Sequence, residues 1–484
     1  MNKPFAFPLA AAVCALVSTL AHAAGPATPI QHVVVIFDEN NSFDHYFATY
    51  PNAANRPGEP QFTPLPNTPT VNGLTPEFIA NNPNSTKPFR LDRGQDLLCD
   101  NDNHYTDEQN SYHAGLLDKF PESTNGTGCP LGSNMGYYDG NTVTALWNYA
   151  QHFAMSDHFF DSEFGTTVMG HLNLISGQTH QTSVNSIAGK LANGSVIANV
   201  EAGFDDCTGK TPVKMTSKNV GDLLTAAGIS WGWFYDSFAR IGANADGTAI
   251  CNPNYNNHYD PFMYYASTSN PHHLPPSAVE MIGTNADQAN HQYDLKDFWD
   301  AAVYGTLPAV SFLKFESANT GHPADGSVLN EQRYLVETIN ALQRLPQWSS
   351  MAVMITYDDS DGFYDHVMPP IVSPSNDPAN DSLLGSSGLC GTPAAGAYLD
   401  RCGYGTRLPF VVISPYAKQN YVDSTTNDTT SVLRFIEDNW NLGRLGDQSF
   451  DALAGSIMGM FNFTGKPAPQ LFLDPDTGTV VSGQ

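Results

Sequence analysis

Basic residues are scarce in this sequence. Its 484 residues contain 21 Lys and Arg against 48 Asp and Glu, which gives a formal net charge of −27 at pH 7. Binding to nucleic acid or to an anionic membrane depends on Lys and Arg contacts with phosphates, so a chain this negative repels both. We therefore expect no nucleic acid among its partners.

Long apolar runs are missing after residue 23, and a helix that crosses a bilayer needs roughly 18 such residues. The N-terminus carries one Lys, an apolar core at Leu9–Leu20 and the closing tripeptide Ala21-His22-Ala23. This pattern predicts a secretory signal peptide over 1–23. It has no Arg-Arg pair, which favours the general secretory route. We expect a periplasmic or secreted protein without a stable membrane anchor.

CxxC spacings are absent as well, so a zinc–thiolate site is not expected. Cys14 belongs to the predicted signal peptide, and an even number of cysteines remains. In an exported chain this predicts disulfide bonds, although the sequence leaves the connectivity open. Our hypothesis is that neighbours in sequence pair, as Cys99–Cys129, Cys207–Cys251 and Cys390–Cys402.

What the sequence does contain is two apolar runs that end in side-chain oxygens. These are His32–Phe37, followed by Glu39-Asn40, and Ala352–Tyr357, followed by Asp358-Asp359. Continuous apolar runs are typical of strands buried on both faces of a sheet. Ligands bind at the carboxyl ends of such strands, so the two pairs would form a cation site if the strands are neighbours. A single acidic pair more often caps a loop or helix, but the repeated pattern favours a site.

Other apolar, β-rich runs alternate with helical patterns. This alternation predicts βαβ units and an α/β fold with a mainly parallel central sheet flanked by helices. Polar stretches rich in Pro and Asn near 51–88, 242–257 and 373–405 predict long loop or lid insertions. The remaining predicted strands are Ile229–Tyr235, Ala309–Phe315 and Pro409–Tyr416, and the predicted helices are Val143–Phe153, Asn219–Ala227, Asn330–Leu342 and Ser431–Leu442.

A hydroxyl group stands between glycines at the start of another helical pattern. Gly165 is followed by Thr166 and Thr167, then by Gly170 and the apolar residues of Leu172–Ser176. Backbone N–H groups at a helix start point outward and attract anions. A Thr in this position is commonly an N-cap, but it is also well placed as a nucleophile that attacks phosphorus.

Eight motifs extend this pattern over nearly the whole chain. In order they are HVVVIFDENNSFDHYF, DNDNHYTDEQ, SDHFFDSEFGTTVMGHLN, ISWGWFYD, HYDPFMYY, GHPADG, ITYDDSDGFYDHVMPP and RLPFVVISPYAK. Together they resemble a bacterial phosphoesterase family of exported acid phosphatases and phospholipases C, which is related to the alkaline phosphatase superfamily. The resemblance implies one alkaline phosphatase-like phosphoesterase domain over 24–484.

The resemblance also implies one divalent metal ion and a set of ligands for it. The ENxSFD and TYDD segments of the family supply the ligands, which correspond here to Glu39, Asn40, Asp358 and Asp359. Oxygen ligands of this kind suit Ca²⁺, Mg²⁺, Mn²⁺ or iron, and zinc is not excluded.

The family nucleophile is a Ser or Thr, usually after Gly-Pro. Here Thr166 replaces the proline, so Thr167 is the matching nucleophile and Thr166 a neighbouring hydroxyl. Active-site histidines of the family match His104, His258 and His322. The acid phosphatase branch often has a pair of His residues before the PF of HYDPF, whereas this chain has Asn257-His258.

The other histidines have no such match. A lone histidine is more often an ordinary hydrogen-bonding residue than a catalytic one, and His171, His180, His272 and His273 are interpreted in that way. His45 and His366 adjoin the predicted ligands and are expected to orient carboxylates.

The implied reaction is the hydrolysis of a small phosphate ester through a phosphothreonine intermediate. We favour a phosphomonoesterase of the acid phosphatase type, because the β-rich C-terminal extension of long phospholipases C is not evident. The alternative is a phospholipase C that cleaves phospholipid phosphodiesters. An inactive relative that only holds calcium is a further alternative, and the intact set of predicted ligands and nucleophile argues against it. The sequence does not predict an oligomeric state.

Overall fold

The computed structural model describes residues 25–385, 388–392 and 400–481. The predicted signal peptide and part of the 373–405 insertion lie outside these ranges. Among the described residues, no helix is both long and apolar enough to cross a membrane.

The largest sheet in the described part of the chain has eight strands. They are β1 His32–Asp38, β2 Ala154–Ser156, β3 Trp231–Tyr235, β4 Gln292–Asp294, β5 Val310–Lys314, β6 Met351–Tyr357, β7 Phe410–Ile413 and β8 Tyr421–Asp423. Their order across the sheet is β4-β3-β5-β1-β6-β7-β2-β8. Neighbouring strands run parallel except at β7, which is antiparallel to β6 and to β2. The predicted α/β fold with a mainly parallel central sheet is confirmed.

Strand β1 lies near the centre of the sheet and is paired on both sides. It runs parallel to β5 and to β6, with His32 opposite Met351 and Asp38 opposite Tyr357. This register brings the residues after the two strands together, and the Asp358 N–H donates to the Asp38 carbonyl at 3.2 Å. The sequence prediction that the two apolar runs are neighbours is therefore confirmed.

Helices cover both faces of the sheet, as expected for parallel strands. The helices of the described residues are α1 Phe43–Phe47, α2 Pro76–Ala80, α3 Tyr105–Tyr112, α4 Phe120–Ser123, α5 Thr144–His152, α6 Thr167–Ser176, α7 Val220–Ala227, α8 Leu295–Tyr304, α9 Val328–Arg344 and α10 Thr429–Trp440. Side-chain caps explain two starts that come earlier than predicted. Ser327 accepts from Leu329 N–H at the start of α9, and Asp428 accepts from Thr430 N–H at the start of α10.

Short strand pairs and disulfides fix the segments between these elements. The pairs are Phe89–Arg90 with Gly136–Tyr137, Phe159–Phe160 with Asn427–Asp428, Leu191–Ala192 with Ser195–Val196, Glu201–Ala202 with Pro212–Val213, and Gly242–Ala243 with Ala249–Ile250. The disulfides are Cys99–Cys129, Cys207–Cys251 and Cys390–Cys402. The predicted pairing of sequence neighbours is confirmed.

Candidate active site

The four predicted metal ligands lie together at the carboxyl edge of β1 and β6. Glu39 and Asn40 follow β1, whereas Asp358 and Asp359 follow β6, and each is at most 1 % exposed. The loops are joined by their backbones, because the Asn41 N–H donates to the Asp359 carbonyl at 3.0 Å. Burial therefore brings three carboxyl groups and one amide into a small volume.

The Asn40 amide lies between two of these carboxyl groups. One of its terminal atoms is 2.8 Å from Glu39 Oε2 and 2.7 Å from Asp358 Oδ1. The amide nitrogen in this position donates to both carboxylates, whereas the amide oxygen in this position would join them as a third oxygen ligand of a hard divalent cation. Asp358 Oδ2 is buried and has no hydrogen-bond partner among the described residues, so the predicted ligands suit such an ion.

The carboxylates are costly to keep charged without such a cation. Burial raises the pKa of Asp359 to about 7. Burial, together with the charges of Glu39 and Asp359, raises the pKa of Asp358 well above its ordinary value. A divalent ion in contact with these oxygens would favour the charged forms instead, so metal binding and proton release are coupled.

The predicted nucleophile points at this cluster. Thr167 is the first residue of α6, and its Oγ1 donates to Asp359 Oδ2 at 3.4 Å. Thr166 is the N-cap, and its buried hydroxyl has no hydrogen-bond partner among the described residues. Gly165, with φ +129°, makes the turn into the helix, where a Cβ would lie 2.5 Å from Met169 Sδ. The two neighbouring hydroxyl groups therefore have different surroundings, and of the two it is the Thr167 hydroxyl that hydrogen-bonds to Asp359.

Helix α6 is also in direct backbone contact with the end of β6. A Cβ on Gly170 would lie 1.9 Å from the carbonyl oxygen of Asp358. Only glycine allows this approach, because any other side chain would overlap the peptide group. The helix start that carries Thr167 and the strand end that carries Asp358 are therefore held together at this point.

His322 lies beside the metal-ligand cluster. Its Nε2 is 3.3 Å from the outer terminal atom of the Asn40 amide, and its Nδ1–H donates to the Pro323 carbonyl at 2.7 Å. Burial alone would lower the pKa of His322, but the carboxylates of Asp361 and Glu39 raise it to about 9. This ring is therefore an imidazolium that can donate a proton at Nε2.

His258 has the opposite character. Burial, assisted by the positive charge of Lys314, lowers its pKa to about 3. The Asn256 amide lies 2.9 Å from Nε2 and donates to it, which fixes that nitrogen as an acceptor. His258 is therefore a neutral ring, and the geometry gives it no proton to donate at this atom.

His104 is placed less directly than predicted. Its side chain is 66 % exposed, and its Nδ1 bonds to Asp102 Oδ1 at 2.5 Å. The preceding residue makes the contact with the cluster instead. Asn103 Nδ2 donates to both oxygens of Asp359, at 3.1 and 3.0 Å. Sequence reasoning missed Asn103, although its position beside a matched histidine was an available signal.

Comparison with known proteins identifies the family of the chain. The model of the Phosphoesterase family matches residues 30–443. The chain belongs to the Phosphoesterase family.

Three curated relatives of this Phosphoesterase family member carry related names. The non-hemolytic phospholipase C of Burkholderia pseudomallei is 27% identical over 474 residues, which are 94% of this chain and 62% of that protein. Phospholipase C A of Mycobacterium tuberculosis is 26% identical, over 92% of this chain and 81% of that protein. The non-specific phospholipase C6 of Arabidopsis thaliana is 25% identical, over 83% and 65%. The chain thus spans only about three fifths of the first relative.

Solved structures resemble the protein more distantly. A protein in the alkaline phosphatase superfamily from Vibrio parahaemolyticus gives a TM-score of 0.31 at 11% identity, over 63% of this chain and 62% of that one. Murine ectonucleotide pyrophosphatase/phosphodiesterase 5 also gives 0.31 at 11% identity, over 66% and 95%. TM-scores this low do not by themselves establish a shared fold.

In this member of the Phosphoesterase family, His171 also lies beside the cluster, although the sequence analysis interprets it as an ordinary hydrogen-bonding residue. It lies one helical turn after Thr167 on α6, is fully buried, and has its Nδ1 3.6 Å from Asp358 Oδ2. Its Nδ1–H donates to the Thr167 carbonyl at 2.8 Å. Burial and the charge of Lys314 keep the pKa of His171 well below its ordinary value. The i, i+4 spacing from Thr167 was the signal that could have identified it.

Glu108 of α3 connects the loop before Thr167, the predicted nucleophile, to the loop after Asp359, a predicted metal ligand. It accepts from the Gly165 N–H at 2.9 Å and from the Ser360 hydroxyl at 2.5 Å. Burial and the charge of Asp359 raise its pKa to about 8. One buried carboxyl group therefore holds both functional loops.

The two histidines expected to orient carboxylates act at a distance from the ligands. His366 Nδ1 bonds to Asp44 Oδ2 at 2.6 Å, and Asp44 also receives a hydrogen bond from the buried Arg407 at 3.2 Å. His45 Nδ1–H donates to the Gly136 carbonyl at 2.7 Å. Both belong to the packing beneath the site, and neither contacts Glu39 or Asp359 in the described hydrogen bonds.

Proposed function

We propose that the protein is a divalent metal-dependent phosphoester hydrolase with Thr167 as its nucleophile. One observation carries the proposal: the hydroxyl at the start of α6 points at Asp359, inside a buried cluster of oxygen ligands. A hydroxyl, a cation site and a helix N-terminus directed at one point are the components of phosphoryl transfer. Membership of the Phosphoesterase family supports the same reaction class.

Glu39, Asn40, Asp358 and Asp359 would hold one divalent ion. Their donor atoms suit Ca²⁺, Mg²⁺, Mn²⁺ or Fe²⁺, and Zn²⁺ also accepts carboxylates. When bound, the ion lowers the pKa of the Thr167 hydroxyl and offsets the negative charge of the phosphoryl group.

Thr167 and His322 have separate roles in the proposed reaction. The Thr167 hydroxyl first loses its proton to solvent; the alkoxide Oγ1 then attacks phosphorus in line, an Oγ1–P bond forms, and the bond from phosphorus to the leaving oxygen breaks. His322 Nε2 donates a proton to the leaving oxygen, because its pKa of about 9 keeps it protonated at neutral pH. Water next attacks the phosphothreonine: one of its protons passes to His322, a bond from phosphorus to the water oxygen forms, and the Oγ1–P bond breaks, which releases phosphate and restores the Thr167 alkoxide.

For the substrate we propose a phosphomonoester. Its phosphate carries up to two negative charges, and the proposed ion together with the His322 imidazolium can neutralise both. The net charge of −27 repels the dianion more than the monoanion, which dominates below pH about 6. We therefore expect an optimum between about pH 5 and 7 for monoesters.

A phospholipase C activity is the second candidate. The observation that favours it is that the curated relatives described above are named phospholipase C. A phosphodiester carries one negative charge at every pH in this range. Its repulsion by the net charge of the protein would therefore not change with pH and would not favour an acid optimum.

A substrate panel with metal analysis distinguishes the two. Purified protein should be assayed on a 4-nitrophenyl monoester, on its bis-ester and on phosphatidylcholine vesicles, with the Thr167→Ala variant as the control for contaminating activity. We expect the highest kcat/KM for the monoester. Faster release of phosphocholine from the vesicles would identify the phospholipase C, and no hydrolysis of any phosphoester by metal-loaded protein would contradict the proposal.

We also propose that the protein is exported to the periplasm or secreted. The three disulfides support this, because such bonds persist in oxidising compartments. N-terminal sequencing of the protein from culture medium and periplasmic extract, with cleavage after residue 23, tests it.

A further inference from the structure

A buried lysine adjoins the proposed metal site. Lys314 is the last residue of β5, has no exposed side-chain surface, and contacts Glu39 Oε1 through Nζ. Every other lysine of the described residues keeps part of its side chain in solvent. Burying an ammonium group is strongly unfavourable unless a carboxylate compensates it, so this pair requires a functional explanation.

Glu39 has a different neighbour on each of its oxygens. Oε2 faces the Asn40 amide and the proposed ion, whereas Oε1 faces Lys314. The carboxylate therefore lies between two positions for positive charge. One is the proposed metal site, and the other holds the lysine.

The position on the Lys314 side shares two groups, Glu39 and Asp358, with the proposed metal site and adds His171 to them. Glu39, His171 and Asp358 each offer one ligand atom, and these atoms lie within 4.8 Å of one another. His171 Nε2 and Asp358 Oδ2 are buried and have no hydrogen-bond partner among the described residues. Two carboxylates and one imidazole are a ligand set that zinc or manganese can use.

The ammonium of Lys314 lies against the same aromatic rings as His171. Its Nζ is 4.6 Å from the centre of the Tyr259 ring and 5.9 Å from that of Phe37. The His171 ring is 5.9 Å from Tyr259 and 4.8 Å from Phe37, centre to centre. The lysine charge and the unpartnered imidazole therefore share one small volume.

We propose that the Lys314 ammonium takes the place of a second metal ion, so that the site binds one divalent cation rather than two. The inference rests on the proposed metal site formed by Glu39, Asn40, Asp358 and Asp359. A fixed ammonium supplies positive charge beside Glu39 and repels a second cation from the group formed by Glu39, His171 and Asp358.

Metal stoichiometry tests the proposal. Wild type and variants should be equilibrated with excess Mn²⁺, freed of unbound ion by gel filtration, and measured by mass spectrometry of the metal content. We expect one ion per chain in wild type and in Lys314→Arg, two in Lys314→Met, and one again in Lys314→Met combined with His171→Ala. Lys214→Met is the matched control, since Lys214 is exposed and packs on Phe204, and it should keep one ion.

Wild-type protein provides a test that needs no variant to fold. Its electron paramagnetic resonance spectrum at saturating Mn²⁺ should show isolated ions, whereas an exchange-coupled pair would overturn the proposal. One ion in folded Lys314→Met would overturn it as well and would leave the metal site proposed above intact. A wild type that binds no divalent ion would overturn both.

Discussion

Asn103 donates hydrogen bonds to both carboxylate oxygens of Asp359, over a separation of 256 residues in sequence. The Asp359 carboxylate also accepts from Thr167, so Asn103 fixes the group that faces the nucleophile. If Asp359 binds metal as proposed, Asn103 orients this ligand without binding the metal itself.

Replacing Asn103 by alanine should weaken metal binding. Because groups that orient a metal ligand are typically worth 10- to 100-fold in affinity, we expect about a tenfold or larger rise in the metal Kd of Asn103→Ala. Isothermal titration with Mn²⁺ measures it. Asn110→Ala, on the same segment, is the control and should bind as wild type does; equal Kd values for the two variants would contradict the role of Asn103.

Thr167→Ala should lose at least about three orders of magnitude in kcat, because it removes the hydroxyl that is proposed to form the covalent intermediate. Thr166→Ala should lose less than about tenfold, since the Thr166 hydroxyl has no partner in the described structure. Single-turnover assays on a 4-nitrophenyl phosphate, with circular dichroism to verify folding, compare the two. If Thr166→Ala caused the larger loss, the assignment of Thr167 as the nucleophile would be wrong.

Asp359→Asn should lower bound metal and activity together. The substitution removes one charge from the cluster while it keeps the shape of the side chain. Chelation of wild type should abolish turnover, and added divalent ion should restore it in wild type at a lower concentration than in the variant. Metal content and kcat measured on the same samples provide the check, and full activity without metal would exclude the mechanism.

Glu163 should make the folded state less stable as pH rises. It is fully buried, and its carboxylate and that of Asp400 both accept from the Thr179 hydroxyl, at 2.9 and 3.1 Å. Burial and the charge of Asp400 raise the pKa of Glu163 well above its ordinary value. The folded protein therefore keeps a proton that the unfolded chain releases above pH about 4.5. The contribution of Glu163 to the free energy of unfolding consequently falls as pH increases.

The other charged groups near Glu163 do not reverse this fall in the free energy of unfolding with rising pH. Burial opposes the ionisation of Asp400, but the hydrogen bond from His180 lowers its pKa below the ordinary value, so its contribution is complete above pH about 5. Arg401, whose backbone N–H donates to Glu163 at 3.3 Å, remains charged throughout.

Glu163→Gln should accordingly flatten the decline of unfolding free energy between pH 5 and 9. The slope should change by up to about 1.4 kcal/mol per pH unit where one proton is involved. Urea unfolding at saturating metal across this range measures the slope. Glu77→Gln, at an exposed helix position, is the control, and an identical slope in both variants would argue against the buried proton.

The sequence predicted the parts of the fold that have a strong local pattern. The seven-residue strands β1 and β6 are uninterrupted apolar runs, so both their burial and the acidic residues after them were visible. By contrast, β2 and β8 have three residues each, which is too short for any periodicity. The reversed direction of β7 depends on pairing with β2, and no local signal encodes it.

In the candidate site, too, the residues within sequence motifs were predicted, whereas those that depend on tertiary contacts were not. The predicted ligands and Thr167 stand in motifs, and their geometry is compatible with the proposed roles. Asn103 and Lys314 were missed because each contacts a predicted ligand that is distant in sequence. His171 was interpreted as an ordinary histidine because its approach to Asp358 depends on the packing of α6 against the end of β6. From its local sequence, Lys314 is interpreted as the polar end of a strand. Its contact with Glu39 follows only from the pairing of β5 with β1.

The close approach at Gly170 limits how this protein could change. Since the Asp358 carbonyl and the α6 backbone touch, the spacing between hydroxyl and metal ligands is set by main-chain contact and not by adjustable side chains. A substitution at Gly170 would therefore move the proposed nucleophile relative to the proposed ligands, whereas substitutions in the predicted insertions would leave this distance unchanged.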